Sequence, residues 1–271
     1  MMGTHYKTVW LSDIHLGNKD CKADYLLNFL SHTHIDTLYL VGDIIDMWAM
    51  QNRMHWPDSH NQVLHRLMTL SQQGTRIVYL PGNHDAPLQK YDGMAFSNVT
   101  VKREHIHVTA QGKRLLVLHG DQFDEEVCFG RIHAWIGDKG YDLLLFLNRW
   151  YNRLQTARGR PYWSLAGYIK GHIKGAAKAI ARYRQACIDR ARTLGLDGVV
   201  CGHIHHPEIL HIDGLTYFND GDWIENCSAL TEDHQGNLQL LRWTSQQGRG
   251  EVIDLHTEPS SGCNVGKPQA A

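Results

Sequence analysis

The sequence lacks several features that would assign it at once to a structural class. Its six cysteines are scattered over 271 residues with no CxxC pair, so a disulfide framework is excluded and reduced thiols are predicted. No apolar run has the length of a membrane span or of a signal-peptide core. The formal net charge is only -1, which implies no polyelectrolyte partner. These absences predict a cytoplasmic protein, and they leave open a peripheral position on the cytoplasmic face of the inner membrane.

The sequence does contain an alternation of short apolar strands and amphipathic helices. It predicts helices over 24–33 and 59–74 and strands over 7–15, 36–46, 75–85, 113–121, 195–206, 215–223 and 237–243, the last at a sheet edge. This alternation indicates a layered α/β domain, and the short connections between the later strands favour two stacked sheets. We expect a single domain over 5–245 with a helical insertion over about 124–194. The polar end, 246–271, is expected to be a flexible tail.

Polar residues follow five of the predicted strands. The strand ends read SDIH (12–15), VGDIID (41–46), PGNHD (81–85), LHGD (118–121) and CGHIHH (201–206). Ligands bind at the carboxyl ends of strands in layered α/β folds, so these segments are expected to converge on one site. A glycine adjoins a candidate ligand in four of them, which allows the backbone to approach a ligand closely.

The candidate ligands combine carboxylate, amide and imidazole donors: Asp13, His15, Asp43, Asn83, His119, His203 and His205. Such a set suits manganese, iron or zinc, with manganese as the expected metal. Seven ligands exceed what one cation with an open position needs, but they fit two cations if Asp43 bridges them. Two cations about 3.5–4 Å apart can clamp the attacking and leaving oxygens of a phosphoryl transfer and lower the pKa of water. The sequence therefore predicts a centre of two divalent metal ions that hydrolyses phosphoesters.

Together and in this order, DIH, GDIID, GNHD, HGD and GHIH resemble the calcineurin-like metallophosphoesterases over roughly residues 9–225. The resemblance implies a four-layer αββα sandwich with an inserted helical-hairpin lid. One metal would be held by Asp13, His15, Asp43 and His205, and the other by Asp43, Asn83, His119 and His203. His84 would lie beside the scissile phosphate as a transition-state stabiliser or general acid, with Asp85 orienting it. A non-catalytic scaffold is the rival interpretation, although such a descendant would be expected to have lost ligands, and none is missing.

Two other acidic residues allow two interpretations each. Asp46 follows Asp43 by three positions, so it would either cap a helix or touch the substrate. Asp222, in the segment DGDW, would either orient a ligand or form a turn.

A strongly basic segment separates the fourth and fifth motifs. Residues 149–192 contain eleven lysines and arginines and a single acidic residue, Asp189. Apolar residues at helical spacing, including Ile180, Tyr183 and Cys187, run beside the cations Lys174, Lys178 and Arg182. A helical hairpin with a solvated basic face is the simplest interpretation, but such faces normally mix both signs of charge. The pattern favours binding of an anionic amphiphile or an anionic membrane surface over binding of nucleic acid, which is not expected.

Within the family, residues 160–174 and 219–227 resemble the branch of UDP-2,3-diacylglucosamine diphosphatases, which insert a helical lid at this point. The resemblance implies an anionic phosphoester substrate such as an acylated UDP-sugar, cleaved at its pyrophosphate to lipid X and UMP by hydroxide generated at the metals. The apolar side of the hairpin would accept the acyl chains. The expected substrate contacts are Asn83, Arg158, Arg160, Ser164, Lys170, Lys174 and His203.

One residue departs from that branch. The position after the asparagine of GNHD is arginine in the branch, whereas this chain has His84, as general phosphoesterases do. Arginine is permanently charged and donates two parallel hydrogen bonds to phosphate, whereas histidine can give up its proton. A general phosphodiesterase or phosphomonoesterase that acts on nucleotides or another small substrate is therefore the alternative.

Overall fold

The computed structural model describes residues 4–124, 174–244 and 250–253, which form two β-sheets with helices on their outer sides. Its helices are α1 (Ala23–His32), α2 (Met47–Asn52), α3 (Asp58–Gln72) and α4 (Lys174–Thr193). Its strands are β1 (Thr4–Leu11), β2 (Thr33–Val41), β3 (Arg76–Leu80), β4 (Ala95–Phe96), β5 (Val99–Val101), β6 (Glu104–Val108), β7 (Arg114–Leu118), β8 (Gly198–Cys201), β9 (Glu208–Ile212), β10 (Leu215–Asn219), β11 (Ser228–Glu232), β12 (Leu238–Arg242) and β13 (Glu251–Val252).

Each sheet is mixed, with parallel strands at its centre. The first has the order β13-β12-β11-β1-β2-β3-β5-β4, and the second has the order β6-β7-β8-β10-β9. Strand β1 pairs in parallel with β2, and β2 with β3. In the second sheet, β8 is parallel to both β7 and β10. The carboxyl ends of these central strands carry the polar motifs.

Three apolar clusters hold the layers together. Trp10 and Tyr39 of the first sheet pack with Val117 and Phe218 of the second, which forms the core between the sheets. Helices α1 and α3 cover the outer face of the first sheet, and α4 covers the outer face of the second. The order is therefore helix, sheet, sheet, helix, which confirms the predicted four-layer αββα sandwich. Burial on both faces explains why the central strands read as continuous apolar runs.

Helix α4 forms this outer layer, and its position changes one expectation. Tyr183 and Cys187, assigned from the sequence to a lid wall for acyl chains, are completely buried in the cluster that includes Val199 and Tyr217. They are therefore unavailable to a substrate. The rest of the predicted lid, with Arg158, Arg160, Ser164 and Lys170, lies outside the described residues, as does the side chain of Lys174.

Several cations of α4 have acidic partners on other elements. Arg184 makes a bidentate ion pair with Glu208 of β9, with distances of 2.5 and 2.7 Å. Arg190 pairs with Glu104 of β6 at 3.1 Å. The excess of positive charge seen in the sequence is thus partly neutralised by carboxylates that lie far away along the chain.

The carboxyl-terminal part adds a short strand that the sequence pattern did not predict. Residues 251–252, inside the range expected to be a tail, pair with β12 as strand β13. Strand β12 was predicted to be the sheet edge, but β13 covers it. The four cysteines in the described residues are free thiols, and none of the described helices is long and apolar enough to cross a membrane.

Candidate active site

The first two motifs lie side by side because the parallel pairing of β1 and β2 continues beyond the strands. The backbone N–H of Asp13 donates to the carbonyl of Gly42 at 3.0 Å, and that of His15 donates to the carbonyl of Asp43 at 2.9 Å. Two motifs that are 30 residues apart are thereby locked in register, with their side chains at one end of the sheet.

Five of the seven predicted ligands have a left-handed backbone. Asp13, His15, Asp43, His203 and His205 have φ between 49° and 69°. Such conformations cost roughly 1–3 kcal/mol each in residues other than glycine, and they cluster at functional sites. A strained backbone persists only where surrounding hydrogen bonds hold it in place. The left-handed conformations therefore identify these five residues as candidate functional positions.

Asp13 is the centre of a first group of candidate ligands. Its Oδ1 lies 3.1 Å from Nε2 of His205 and 3.8 Å from Nε2 of His15. Its Oδ2 accepts a hydrogen bond of 2.8 Å from the backbone N–H of His203. The ligand atoms of Asp13, His15 and His205 all lie within 4.8 Å of one another, which is close enough for a single cation to contact all three.

A second group contains Asp43, His119 and His203, whose ligand atoms also lie within 4.8 Å of one another. His119 Nδ1 donates to the carbonyl of Val41 at 2.8 Å, which leaves Nε2 free to face Asp43 Oδ2 at 3.4 Å. A backbone acceptor on one ring nitrogen is the usual device for presenting the other nitrogen to a metal. Asn83 Oδ1 reaches the same Nε2 at 3.3 Å.

Asp43 connects the two groups. Its Oδ2 lies 3.4 Å from His119 Nε2 and 3.9 Å from His15 Nε2. All seven side chains predicted as ligands therefore lie around one point at the strand ends, with Asp43 between the two groups.

The site has a strong preference for positive charge. Burial lowers the pKa of His15, but Asp13, Asp46 and Asp43 outweigh this effect and raise it to about 10. Burial raises the pKa of Asp43, but the imidazole of His119 outweighs it and lowers the value to about 2. Carboxylates that stay charged in a buried site need compensating cations.

The side chains present fit divalent cations. Asp13 Oδ1 and His15 Nε2 are buried, and within the described parts of the chain neither makes a hydrogen bond. Buried polar atoms are nearly always satisfied, so such atoms mark a missing partner. A Cβ on Gly82 would overlap Asp43 Oδ1 and lie 2.5 Å from His119 Cδ2. The glycine of GNHD is therefore required by close packing against the candidate ligands.

Asp46 links a candidate ligand to the predicted catalytic histidine. Its Oδ2 lies 3.1 Å from His15 Nδ1, and its Oδ1 lies 2.8 Å from His84 Nδ1. Oδ1 also accepts from the backbone N–H of Ala49 and so caps α2. Of the two interpretations left open by the sequence, capping is confirmed, and the contacts to both histidines are new. The indole of Trp48 lies against the ring of His84, with centroids 4.4 Å apart and the ring planes tilted by 34°.

Asp85 differs from its expected role. Its oxygens accept hydrogen bonds from the backbone N–H groups of Gly82 at 2.6 Å and Ile44 at 2.9 Å, and from the hydroxyl of Tyr79 at 2.5 Å. It therefore fixes the loops that carry Asp43 and Asn83, whereas His84 is oriented by Asp46. The prediction that Asp85 orients His84 relied on the two residues being adjacent in the sequence. In the structure the side chain of Asp85 points away from His84, toward the sheet.

Two further acidic residues now have clear positions. Asp222 accepts from the backbone N–H of Ile224 at 2.8 Å and of Asn226 at 3.2 Å, which forms a turn. It also accepts from the side-chain amide of Asn226, which donates to the carbonyl of His205 at 3.2 Å. Asp124 Oδ1 lies 2.6 Å from His203 Nε2. The sequence analysis missed Asp124, since it lies at the start of the predicted insertion and follows no strand directly.

Comparison with known proteins agrees with this geometry. The profile described as calcineurin-like phosphoesterase matches residues 6–207. The chain belongs to the calcineurin-like phosphoesterase family. Membership makes it a hydrolase of phosphoesters, and members of this family use a dinuclear metal centre. The two side-chain groups around Asp43 are the candidate binding residues for that centre.

Several bacterial enzymes are similar to the protein over most of the chain. A UDP-2,3-diacylglucosamine hydrolase of Chromohalobacter salexigens is 28% identical over 74% of this chain and 81% of its own length. The enzyme of that name from Aeromonas hydrophila is also 28% identical, over 82% and 93%. Among solved structures, the phosphoesterase Yfce from E. coli aligns with a TM-score of 0.46 at 16% identity, covering 91% of this chain and 96% of that one.

Proposed function

We propose that this phosphoesterase hydrolyses an anionic, lipid-like phosphoester, with the pyrophosphate of UDP-2,3-diacylglucosamine as the expected target. The observation that carries the proposal is the meeting of two ligand groups at Asp43 beside His84. Relatives named for that substrate share about a quarter of their residues with the chain over most of its length. Hydrolysis would give lipid X and UMP.

In this proposal the two groups each hold a divalent cation, with manganese expected. Asp13, His15 and His205 would hold one cation, Asn83, His119 and His203 would hold the other, and Asp43 would be shared by the two groups. Cations bound there would polarise the phosphoryl oxygen and lower the pKa of water. Asp13 Oδ1, which is buried and makes no hydrogen bond within the described residues, and the charge preference of the site support this assignment.

His84 stabilises the leaving oxygen in this mechanism. Its side chain is 26% exposed, and its Nε2 lies 3.9 Å from Asp43 Oδ2 at the border of the site. Asp46 Oδ1 accepts a hydrogen bond from Nδ1–H, so Nε2 is presented to the substrate. With a proton on both ring nitrogens, His84 would keep Nδ1–H on Asp46 and would donate the Nε2 proton to the leaving oxygen as the bond from phosphorus to that oxygen breaks. The water oxygen that bonds to phosphorus would give up a proton to solvent.

The surroundings of His84 support a substrate with an apolar part. The ring of Trp48 lies against His84 and is nevertheless 50% exposed. Large apolar side chains exposed beside a polar site are typical of ligand-binding surfaces. Arg158, Arg160, Ser164, Lys170 and Lys174 remain proposed contacts for the phosphates and the sugar.

A small nucleotide phosphoester is the second candidate substrate. It is favoured by one observation, the presence of His84 where the similar branch has arginine. A histidine donates a single hydrogen bond to phosphate, whereas an arginine can donate two in parallel.

Incubation with UDP-2,3-diacylglucosamine and with a panel of nucleotide phosphoesters, followed by mass spectrometry, tests the proposal. We expect lipid X and UMP from the acylated substrate in the presence of Mn²⁺, and we expect Asp43→Asn to abolish product formation. His84→Ala is expected to retain its metal and to lose about 10²–10⁴-fold in rate. His65→Ala, at an exposed position of α3, serves as the matched control. Turnover of the small phosphoesters alone would replace the lipid-like substrate by the second candidate.

We further propose that the protein works at the cytoplasmic face of the inner membrane, where an acylated substrate would be met. Lys178 and Arg182 are exposed on α4 and are free to face anionic headgroups. Co-sedimentation with phosphatidylglycerol vesicles is expected for the wild type and is expected to weaken in a Lys178→Glu/Arg182→Glu variant. Equal recovery of both proteins in the supernatant would contradict the membrane proposal and leave the hydrolase proposal intact.

A further inference from the structure

A second cluster of metal-binding side chains lies at the opposite end of the first sheet. His5 is in β1, Asp36 is in β2 and His234 is in the turn between β11 and β12. Their ligand atoms all lie within 4.8 Å of one another. His5 and Asp13 are eight residues apart along an extended strand, which corresponds to about 26 Å. The cluster is therefore separate from the candidate active site.

The geometry of the cluster suits a shared ligand. Asp36 Oδ1 lies 2.7 Å from His5 Nε2, and Asp36 Oδ2 lies 3.9 Å from His234 Nδ1. The rings of His5 and His234 meet edge to face with centroids 4.6 Å apart. Because each oxygen of Asp36 has an imidazole beside it, the two rings and the carboxylate can all contact one cation.

The strands and the turn hold these residues in place. His34 is directly opposite His5 in the parallel pairing of β1 with β2, and their ring centroids are 6.2 Å apart. The turn that carries His234 is fixed by Asp233, whose Oδ1 accepts from the backbone N–H groups of Gln235 at 2.8 Å and Asn237 at 2.9 Å. The side chains therefore project from ordered backbone, which reduces the entropy lost when a ligand binds.

We propose that His5, Asp36 and His234 form a binding site for a divalent transition-metal cation such as Zn²⁺, additional to the centre at Asp43. Two imidazoles and one carboxylate match the donor preference of zinc, nickel and copper. Three protein ligands leave a position for water. His5, His34 and Asp36 also line a cleft of about 820 Å³ next to the carboxyl end of α3, so a cation can enter from solvent.

Counting the zinc ions that bind to the whole chain tests this site. Equilibrium dialysis against micromolar Zn²⁺ with metal analysis is expected to show one more ion per chain in the wild type than in a His5→Ala/His234→Ala variant. Asp36→Asn, which preserves the shape of the side chain, is expected to weaken binding at that site about tenfold or more. The control is His65→Ala/His211→Ala, which removes two exposed histidines outside the cluster and should bind as many ions as the wild type.

Two further readouts separate this site from the candidate active site. Hydrolysis of a chromogenic phosphodiester with Mn²⁺ is expected to be unchanged in the His5→Ala/His234→Ala variant, which would also show that it folds. An anomalous difference peak at His5 in a zinc-soaked crystal would support the proposal. Equal zinc stoichiometry in the wild type and that variant would overturn it and leave the cluster as a surface ion pair only.

Discussion

At the scale of single residues, the site depends on a few side chains that each make hydrogen bonds to two neighbouring side chains. Asp46 is the clearest case, since its two oxygens serve His15 and His84 while it caps α2. Burial raises the pKa of Asp46, but the hydrogen bonds from His15 and His84 outweigh burial and lower it well below its usual value. Asp46 is therefore charged at neutral pH and orients both rings.

Asp46→Asn tests this role. Asparagine has one carbonyl oxygen and one amide nitrogen, so it can accept a hydrogen bond from only one of the two histidines. We expect metal affinity or turnover to fall about 10–100-fold, as for other residues that orient metal ligands. Metal titration together with steady-state rates distinguishes the two losses. Asn18→Ala, which removes a weaker contact to Asp46 Oδ2, should change both quantities less, and an unaltered Asp46→Asn variant would contradict the assignment.

At the scale of elements, helix α4 stabilises the loops that carry ligands on the second sheet. The hydroxyl of Tyr183 lies 3.1 Å from the carbonyl of His119 and 3.3 Å from that of Gly202. A Cβ on Gly120 would overlap this hydroxyl. The helix and the two motifs HGD and GHIH therefore meet at one buried point.

Tyr183→Phe removes the hydroxyl that makes both of these contacts. We expect a loss of about 0.5–1.5 kcal/mol in the free energy of unfolding, the usual net worth of a hydrogen bond, and weaker Mn²⁺ binding, because the backbone of His119 and Gly202 loses a donor. Urea denaturation and metal titration measure the two effects. The matched variant Tyr25→Phe, on α1 in the opposite outer layer, should leave Mn²⁺ affinity unchanged. An equal drop in both variants would argue against a specific link to the site.

The two sheets are also joined by a buried polar contact. Glu232 of β11 accepts hydrogen bonds from Thr8 at 2.7 Å, from the backbone N–H of Ala110 at 2.7 Å and from His107 of β6 at 2.9 Å. Burial raises the pKa of Glu232, but these hydrogen bonds outweigh it and lower the value below its usual 4.5. The stabilisation is therefore present above pH 4.5 and is lost as the pH falls through the folded-state pKa.

Glu232→Gln is expected to cost about 1–3 kcal/mol at pH 7, because a charged acceptor is replaced by a neutral one in a buried position. The difference from the wild type should shrink as the pH falls below 4.5, because the unfolded wild-type chain takes up a proton at Glu232 before the folded chain does. Urea denaturation at pH 7 and pH 4 gives both values. The control variant Glu251→Gln, at an exposed position of β13, should leave the free energy of unfolding nearly unchanged at both pH values. A difference between Glu232→Gln and the wild type that grows at pH 4 would contradict the assigned pH dependence.

At the scale of the whole molecule, the site joins the two sheets. Asp13 and Asp43 come from the first sheet, and His119, His203 and His205 come from the second. Cations bound to this centre are expected to stabilise the entire fold, since they bind only when the sheets are assembled.

Removal of metal tests this expectation. We expect chelation to lower the melting temperature and Mn²⁺ to raise it, with a gain of about 2.7 kcal/mol at one hundred times the dissociation constant. Differential scanning calorimetry over a series of Mn²⁺ concentrations measures the shift. Asp43→Asn should abolish most of it, whereas Asp58→Asn at the exposed start of α3 should not. A shift of equal size in Asp43→Asn would place the stabilising cations elsewhere.

The sequence by itself determined the layered α/β architecture and the set of polar residues that follow its strands. Both are encoded locally, because strand periodicity and the glycines beside Asp43, Asn83 and His203 are visible within a few residues. Only the tertiary structure decided that Asp46, and not Asp85, orients His84, and that Tyr183 belongs to a buried helix face. These contacts depend on strand order and register, which bring together residues separated by tens or hundreds of positions, and no local pattern specifies them.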